Sequence, residues 1–296
     1  MVKSFWKKLK NKKGPIVAQV FGAKPENFYQ SAKLIKKLGF DGIDINLGCP
    51  DKKVLKQGAG AALIKNPKLA REIIRQTKKG AGKLPVSIKT RIGYDKYDKK
   101  EFKKWLTVLL EEKPAAITIH GRTKKEMSLV PAHWDAIAEA IKIRNEFDDS
   151  KDRTLILGNG DVKSLADAEE KARISGADGV MIGRAVLGNP WLFAEKEKVA
   201  SFATPCGARR REQSNPPPGG YASRANDAAF SQTIKFQILL EHVKLFEKIN
   251  KGQRFDMMKK HFKAYVSGFN GAKELRIKLM NCQNAKEVKE IILASL

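Results

Sequence analysis

The stretch GIDINLGCPDKKVLKQGAGAALI, residues 42–64, places Cys49 between a glycine and a proline, just after an apolar run that ends in Asn46. A thiol at such a point serves as packing, as a metal ligand, or as an acid or nucleophile. No second cysteine or histidine sits nearby at metal spacing, so no metal is expected there. Lys89 ends another apolar run, VSIK, where an inward-pointing ammonium is costly unless it meets an anion or an electron-rich ring. His120 opens HGRT at the end of a third run. Alone it is most simply a hydrogen-bonded core histidine; beside Lys89 it becomes a candidate cofactor contact. Two more run ends, ILGNGDV and GVMIGRAVLGNPW, are rich in glycine. Gly158, Gly160 and Gly183 would let backbone N–H groups approach a phosphate closely, and Arg184 would pair with it.

These groups need a scaffold that brings run ends together. Six short runs rich in Val and Ile lie at 15–22, 42–48, 85–93, 115–121, 154–161 and 179–185. Amphipathic stretches of helical period separate them, and several of these end in glycine. Strand–helix alternation implies parallel pairing, in a doubly wound sheet or a (β/α)8 barrel. Polar groups close nearly every run: Gln19, Asn46–Cys49, Lys89–Arg91, His120–Arg122, Asn159–Asp161 and Gly183–Arg184. A barrel gathers all such ends on one face, whereas an open sheet concentrates them at one switch point. The expectation is an α/β barrel of the TIM type, N-terminally incomplete, with six recognisable strands where a full barrel has eight.

The division expected is a barrel domain over 1–198, a flexible linker over 199–231 and a small helical domain over 232–296. The linker carries a triple Arg, a triple Pro and a Gly pair among Ser, Asn and Ala, a composition that cannot build a core. Lys and Arg number 58 against 32 Asp and Glu, a formal charge of +26. A chain this basic attracts polyanions, nucleic acid first among them, although a merely solvated lysine surface gives the same count. Lys-rich clusters lie at 7–13 and 259–263. No run approaches the roughly 18 apolar residues of a membrane span, and the basic N-terminus lacks the apolar core of a signal peptide. Three cysteines at wide spacing suit a reducing cytoplasm. A cytoplasmic monomer without membrane or metal partners is expected.

The ordered set VAQVFG, DINLGCPDKKVLKQGAGAALI, VSIKTRIG, TIHGRT, GNGDV and MIGRAVLGNPWLF resembles the tRNA-dihydrouridine synthase family. The C-terminal MMKKHFKAYVSGFNGAKELRIKL is similar to that family's helical domain. The likeness covers about residues 15–197 and 232–296. It implies an FMN-dependent barrel that reduces the C5–C6 bond of a tRNA uridine with NADPH, or NADH, as reductant. It also implies roles. Gln19 and Lys89 would contact the flavin ring, and His120 the ring or its ribityl chain. Asn159, Asp161, Gly183 and Arg184 would hold the phosphate end. Asn46 would bind the uracil, Arg122 would meet the RNA, and Cys49 would be the general acid.

The chemistry is coherent with such a set. Hydride addition to one carbon of an enone builds negative charge that a proton donor on the opposite face must discharge. A neutral thiol is a competent donor near neutral pH. The glycine-rich loop after Cys49 is expected to move, letting the thiol swing over a uracil flipped out of the RNA. Two patterns differ from the family's: its Ala-Pro-Met strand and the strand after it have no counterpart before VAQVFG, and KKEMSLVPAHW follows HGRT where an aromatic and a glycine are usual. The alternatives that stay open are a catalytically impaired tRNA-binding homologue and an FMN barrel reductase of a free pyrimidine-like ring.

Overall fold

A computed structural model describes residues 14–148, 150–187, 192–193, 223–250 (side chains from 232) and 254–295. The chain forms two compact units, 1–183 and 184–296. In the first, strands β1 (Val17–Val20), β2 (Gly42–Asn46), β3 (Val86–Arg91), β4 (Ala116–His120), β5 (Leu155–Asn159) and β6 (Gly179–Met181) alternate with helices. These are α1 (Pro25–Lys37), α2 (Lys52–Lys56), α3 (Pro67–Ala81), α4 (Lys99–Glu111), α5 (Trp134–Phe147) and α6 (Leu165–Ser175). All pairs are parallel, and the order is β1-β2-β3-β4-β5-β6. A doubly wound sheet reverses its order at a switch point; this one does not, and its sequential order is that of a barrel wall.

Local sequence sets the helix starts. The Asn66 side chain accepts from Leu69 N at 3.2 Å and Pro67 follows at the first helical position of α3. Asp98 and Ser164 cap α4 and α6 in the same way, at 3.0 and 3.1 Å. Gly176 closes α6 in the left-handed conformation, φ 72°.

Alternation along each strand divides the sheet into two faces. Ile43, Ile45, Ile88, Ile117, Ile119 and Ile156 are fully buried beneath the helices, with Ile73, Ile74, Leu106, Leu109 and Ile137. Each such side chain contributes roughly 1.5–3 kcal/mol of transfer free energy. Arg144, also fully buried, donates to Thr154 O at 2.9 Å and Asp178 Oδ2 at 2.8 Å, while Asp178 accepts from Ile156 N. That network pins α5 to the β5–β6 end of the sheet. The opposite face carries Gln19, Asp44, Asn46, Ser87, Lys89, Thr118 and His120, which the strand register sets side by side. This face is open at its edges: Val17 and Leu155 share it and are 51% and 47% exposed.

The second unit contains helices α7 (Ser223–Asn250), α8 (Asp256–Tyr265), α9 (Ala272–Asn281) and α10 (Ala285–Leu293). Phe236, Leu239, Val243, Met258, Phe262, Leu279, Val288 and Ile292 form its core. Helix α7 begins at Ser223, inside the stretch read as linker; the rest of that stretch lies outside the described residues, as does the 7–13 lysine run. The sequence after 272 reads as one helical stretch, yet the chain breaks between α9 and α10. Asn284 caps α10 by accepting from Glu287 N at 3.0 Å, and Glu287 reaches back to Gln283 N at 2.8 Å. This reciprocal pair satisfies N–H groups that a continuous helix would have used.

Candidate active site

Strand β2 opens the site. Asp44 and Asn46 alternate with Ile43 and Ile45, so both polar side chains leave the helix-packed face. Asp44 Oδ2 accepts from Gln19 Nε2 at 2.7 Å, and its Oδ1 accepts from Ser87 Oγ at 2.6 Å. Asn46 Nδ2 donates to Gln19 Oε1 at 3.0 Å. Asn46 Oδ1 accepts from the backbone N–H of Gly48 at 3.1 Å and of Cys49 at 2.9 Å. A continuous polar track therefore runs from β3 through β2 and β1 to the backbone of the cysteine. Asp44 and Ser87 anchor it; neither ends a run, and the strict alternations I-D-I-N and V-S-I-K were the available signal.

Cys49 is half-buried and free. Its carbonyl accepts from Ala61 N at 3.0 Å, and a Cβ on Gly60 (φ 61°) would lie 2.7 Å from that same oxygen. Asp51 caps α2 by accepting from Lys53 N and Val54 N, and residues 60–65 form a 3-10 turn. The residues after Cys49, read as a glycine-rich loop, are a capped helix and a 3-10 turn that hold its backbone. Their signal, Asp ahead of KKVLK, was legible as an N-cap.

Arg91 ties this loop to the rest. It is 7% exposed, donates from Nε to Gly48 O at 2.7 Å and from Nη1 to Thr123 O at 2.9 Å. Burial, then the Arg122 charge, lowers its pKa, against Cys49 and Glu126, which raise it. Lys89 lies one step back on the same face, half-buried, with no hydrogen bond or ion pair among the described residues. Desolvation, with the Arg91 charge beside it, lowers its pKa to about 8, although Asp44 pulls the other way.

His120 ends β4. Burial, reinforced by Arg91, Lys89 and Arg122, lowers its pKa to about 3, so the ring is neutral at physiological pH. Arg122 Nη1 lies 3.3 Å from His120 Nε2. A guanidinium only donates, so Nε2 accepts and Nδ1 carries the proton. Arg122 itself is 3% exposed, donates to Val130 O at 2.5 Å and pairs with Asp161. It is a buried strut between loops, which does not match the surface group expected to meet RNA.

The β5 and β6 ends are differently occupied. Asn159 Nδ2 donates to Met181 O at 2.7 Å, joining the two strands. Asp161 (φ 52°) accepts from Ala132 N at 2.9 Å besides pairing with Arg122. A carboxylate repels phosphate, so Asp161 does not suit the phosphate role expected of it. A Cβ at Gly160 would meet Ala132 Cβ at 2.6 Å, whereas Gly183 opens onto free space. Gly183 closes the first unit; Arg184, exposed, begins the second at the head of a short 3-10 turn, residues 184–186. The face therefore brings together Gln19, Asn46, Cys49, Lys89 and His120. Arg122, Asn159 and Asp161 form the frame around it. Among the described residues, no cluster of His, Cys, Asp or Glu suits a metal ion, and no helix is long and apolar enough to cross a membrane.

A sequential parallel β/α wall with its polar side chains gathered at the strand C-termini defines a barrel-type enzyme. Residues 2–295 match the model of the dihydrouridine synthase (Dus) family, and the chain belongs to that family. It is 40% identical over 280 residues to a probable tRNA-dihydrouridine synthase of Staphylococcus aureus strain Mu50, covering 94% of this chain and 74% of that one. It is 37% identical to the probable tRNA-dihydrouridine synthase 2 of Bacillus subtilis strain 168, covering 94% and 75%. A morphinone reductase structure in complex with tetrahydroNAD aligns with TM-score 0.41 at 16% identity, over 61% of this chain and 49% of that one, too slight a likeness to bear on function.

Proposed function

We propose that this chain is an FMN-dependent tRNA-dihydrouridine synthase that uses NADPH, or NADH, as reductant and Cys49 as general acid. The observation that carries the reading is the clasped Cys49 at the end of the polar track Gln19–Asp44–Asn46, with Lys89, unpartnered among the described residues, on the same face. The family match and the names of the relatives support the substrate class.

The residues fit a flavin. Lys89 lacks a partner among the described residues, as a cation awaiting an electron-rich ring edge would. Gln19 and the neutral His120, protonated on Nδ1, offer further polar contacts. The phosphate end would fall to backbone N–H groups near Gly183. A reduced flavin held there would supply the hydride for one carbon of the uracil C5–C6 bond.

Cys49 holds the proton delivered to the other carbon, and its backbone bonds to Asn46 and Ala61 hold the main chain from which the thiol projects. Asn46 has given one amide hydrogen to Gln19 and both acceptor lone pairs to Gly48 and Cys49. Its second N–H remains to bind a uracil carbonyl. Asn46 thus aligns acid and substrate at once. The test is to purify the chain, record flavin absorbance, and assay dihydrouridine formation in unmodified tRNA with NADPH. Flavin retention with product formation is expected; absence of flavin under every reconstitution condition would sink the proposal.

A further inference from the structure

The loops after β2, β3 and β4 carry a second polar arrangement, which the reaction just described does not use. Lys65 Nζ lies 4.0 Å from the centroid of the Tyr94 ring, and Lys124 Nζ lies 4.8 Å from it. Both ammoniums gain from the ring's electron density, which restrains side chains that would otherwise sample many rotamers. Lys96 and Lys125 flank them, both exposed. Three acids stand near the cluster: Asp95, paired with Lys65 at 2.7 Å, Asp98 beside Lys96, and Glu126, held by Thr123 N and His133. The lysines outnumber the acids, and the excess is positive.

This patch is built on the same backbone that clasps Cys49. Lys65 ends the 3-10 turn whose Ala61 N–H holds the Cys49 carbonyl. Lys124 follows Thr123, the carbonyl partner of Arg91, which in turn holds Gly48. Lys124 N donates to Gly93 O at 3.0 Å and Lys125 N to Tyr94 O at 2.9 Å, zipping the β3 and β4 loops together. The loops that carry these lysines are therefore tied to the loop that carries the acid.

We infer that Lys65 and Lys124, spaced by Tyr94, form a docking site for the RNA backbone beside the uridine presented to Cys49. The inference rests on the proposed reading of that site. Lysine ammoniums bind phosphates without regard to sequence, so the patch sets register and orientation on the RNA. Tyr94 is a positioning residue, its ring taken up by the two lysines rather than offered to a base.

The molecule supplies a matched control. Lys33 and Lys79 approach the ring of Tyr29 at 5.5 and 5.8 Å, on α1 and α3, away from the strand-end loops. The experiment measures binding of an unmodified tRNA transcript by anisotropy across a salt series, with dihydrouridine formation assayed in parallel. The Lys65→Glu/Lys124→Glu chain is expected to bind about tenfold or more weakly at ~150 mM salt. Its slope of log Kd against log salt should fall by about 0.7–0.9 for each phosphate that the chain no longer neutralises. Tyr94→Leu should weaken binding a few-fold, and Lys33→Glu/Lys79→Glu should change neither quantity beyond twofold. Lys65→Gln/Lys124→Gln serves if the charge reversal lowers the melting temperature.

Equal losses in the two double variants, or an unchanged Kd and slope at Lys65 and Lys124 in a chain that forms dihydrouridine, overturn the docking site. A wild-type chain that binds through these lysines without forming dihydrouridine overturns the enzyme reading and leaves the docking site standing. A wild-type chain that does not bind the transcript overturns both.

Discussion

The two faces of the one sheet obey different rules. Beneath the helices, isoleucines from four strands are fully buried and packed on helix side chains. Across the same backbone, Gln19, Asp44, Asn46, Ser87 and Lys89 are hydrogen-bonded, charged or left waiting for a partner. The first face supplies burial free energy and tolerates chemistry poorly. The second holds desolvated charge, which costs stability, and keeps it because the helix face more than offsets that cost. Stability and reactivity are thus segregated by residue parity along each strand.

Four substitutions test that segregation. Cys49→Ala should slow uridine reduction by about 10²–10⁴-fold, the usual range for losing a general acid, while leaving flavin binding and the melting temperature in place. An unchanged rate in a single-turnover assay would remove Cys49 from the mechanism. Ile117→Ala, on the other face, should cost about 2–5 kcal/mol in a urea titration and leave the rate per folded molecule alone. A specific loss of rate there would show that the faces are not independent.

Lys89→Met should act in both directions. Burial lowers the Lys89 pKa to about 8 from 10.5, so its cost is full below about pH 8 and is relieved as pH rises toward 10.5. Removing the ammonium should therefore stabilise the chain by ~1–3 kcal/mol at pH 7, with the gain shrinking above pH 8. Flavin retention on gel filtration should fall at the same time. A variant both less stable and fully flavinylated would contradict the assignment. The smallest effect belongs to His120. Its pKa of about 3 in the folded chain, against 6.5 unfolded, means stability is fully present above pH 6.5 and is lost as pH falls through that window. Against His120→Gln, the wild-type chain should lose ~1–2 kcal/mol more between pH 7 and pH 5. Parallel pH–stability curves would disprove the buried, neutral imidazole.

Much of this was legible in the sequence, for physical reasons that also explain the rest. The six strands and their helices declared themselves because Val/Ile runs and 3.6-residue periods are local properties, and β1 to β6 fall inside the six runs read. Gln19, Asn46, Cys49, Lys89 and His120 stood at run ends, and strand register does bring their elements together. Arg122 and Asp161 were visible as polar residues, yet their mutual pairing depends on two loops 39 residues apart in the chain, which no local pattern reports. The same holds for Arg91, whose two carbonyl partners come from different loops. The stop between α9 and α10 was missed because Asn284 and Glu287 cap through reciprocal bonds, while the apolar period continues across them.

Gly60 has the last consequence. Its backbone sits so close to the Cys49 carbonyl, at a dihedral that L-amino acids seldom adopt, that any side chain there displaces the cysteine. A saturation library scored by survival would register position 60 as intolerant as position 49, although glycine brings no functional group to the reaction. The heritable specification of the acid is therefore spread over two codons, one for the atom that reacts and one for an atom that must be missing.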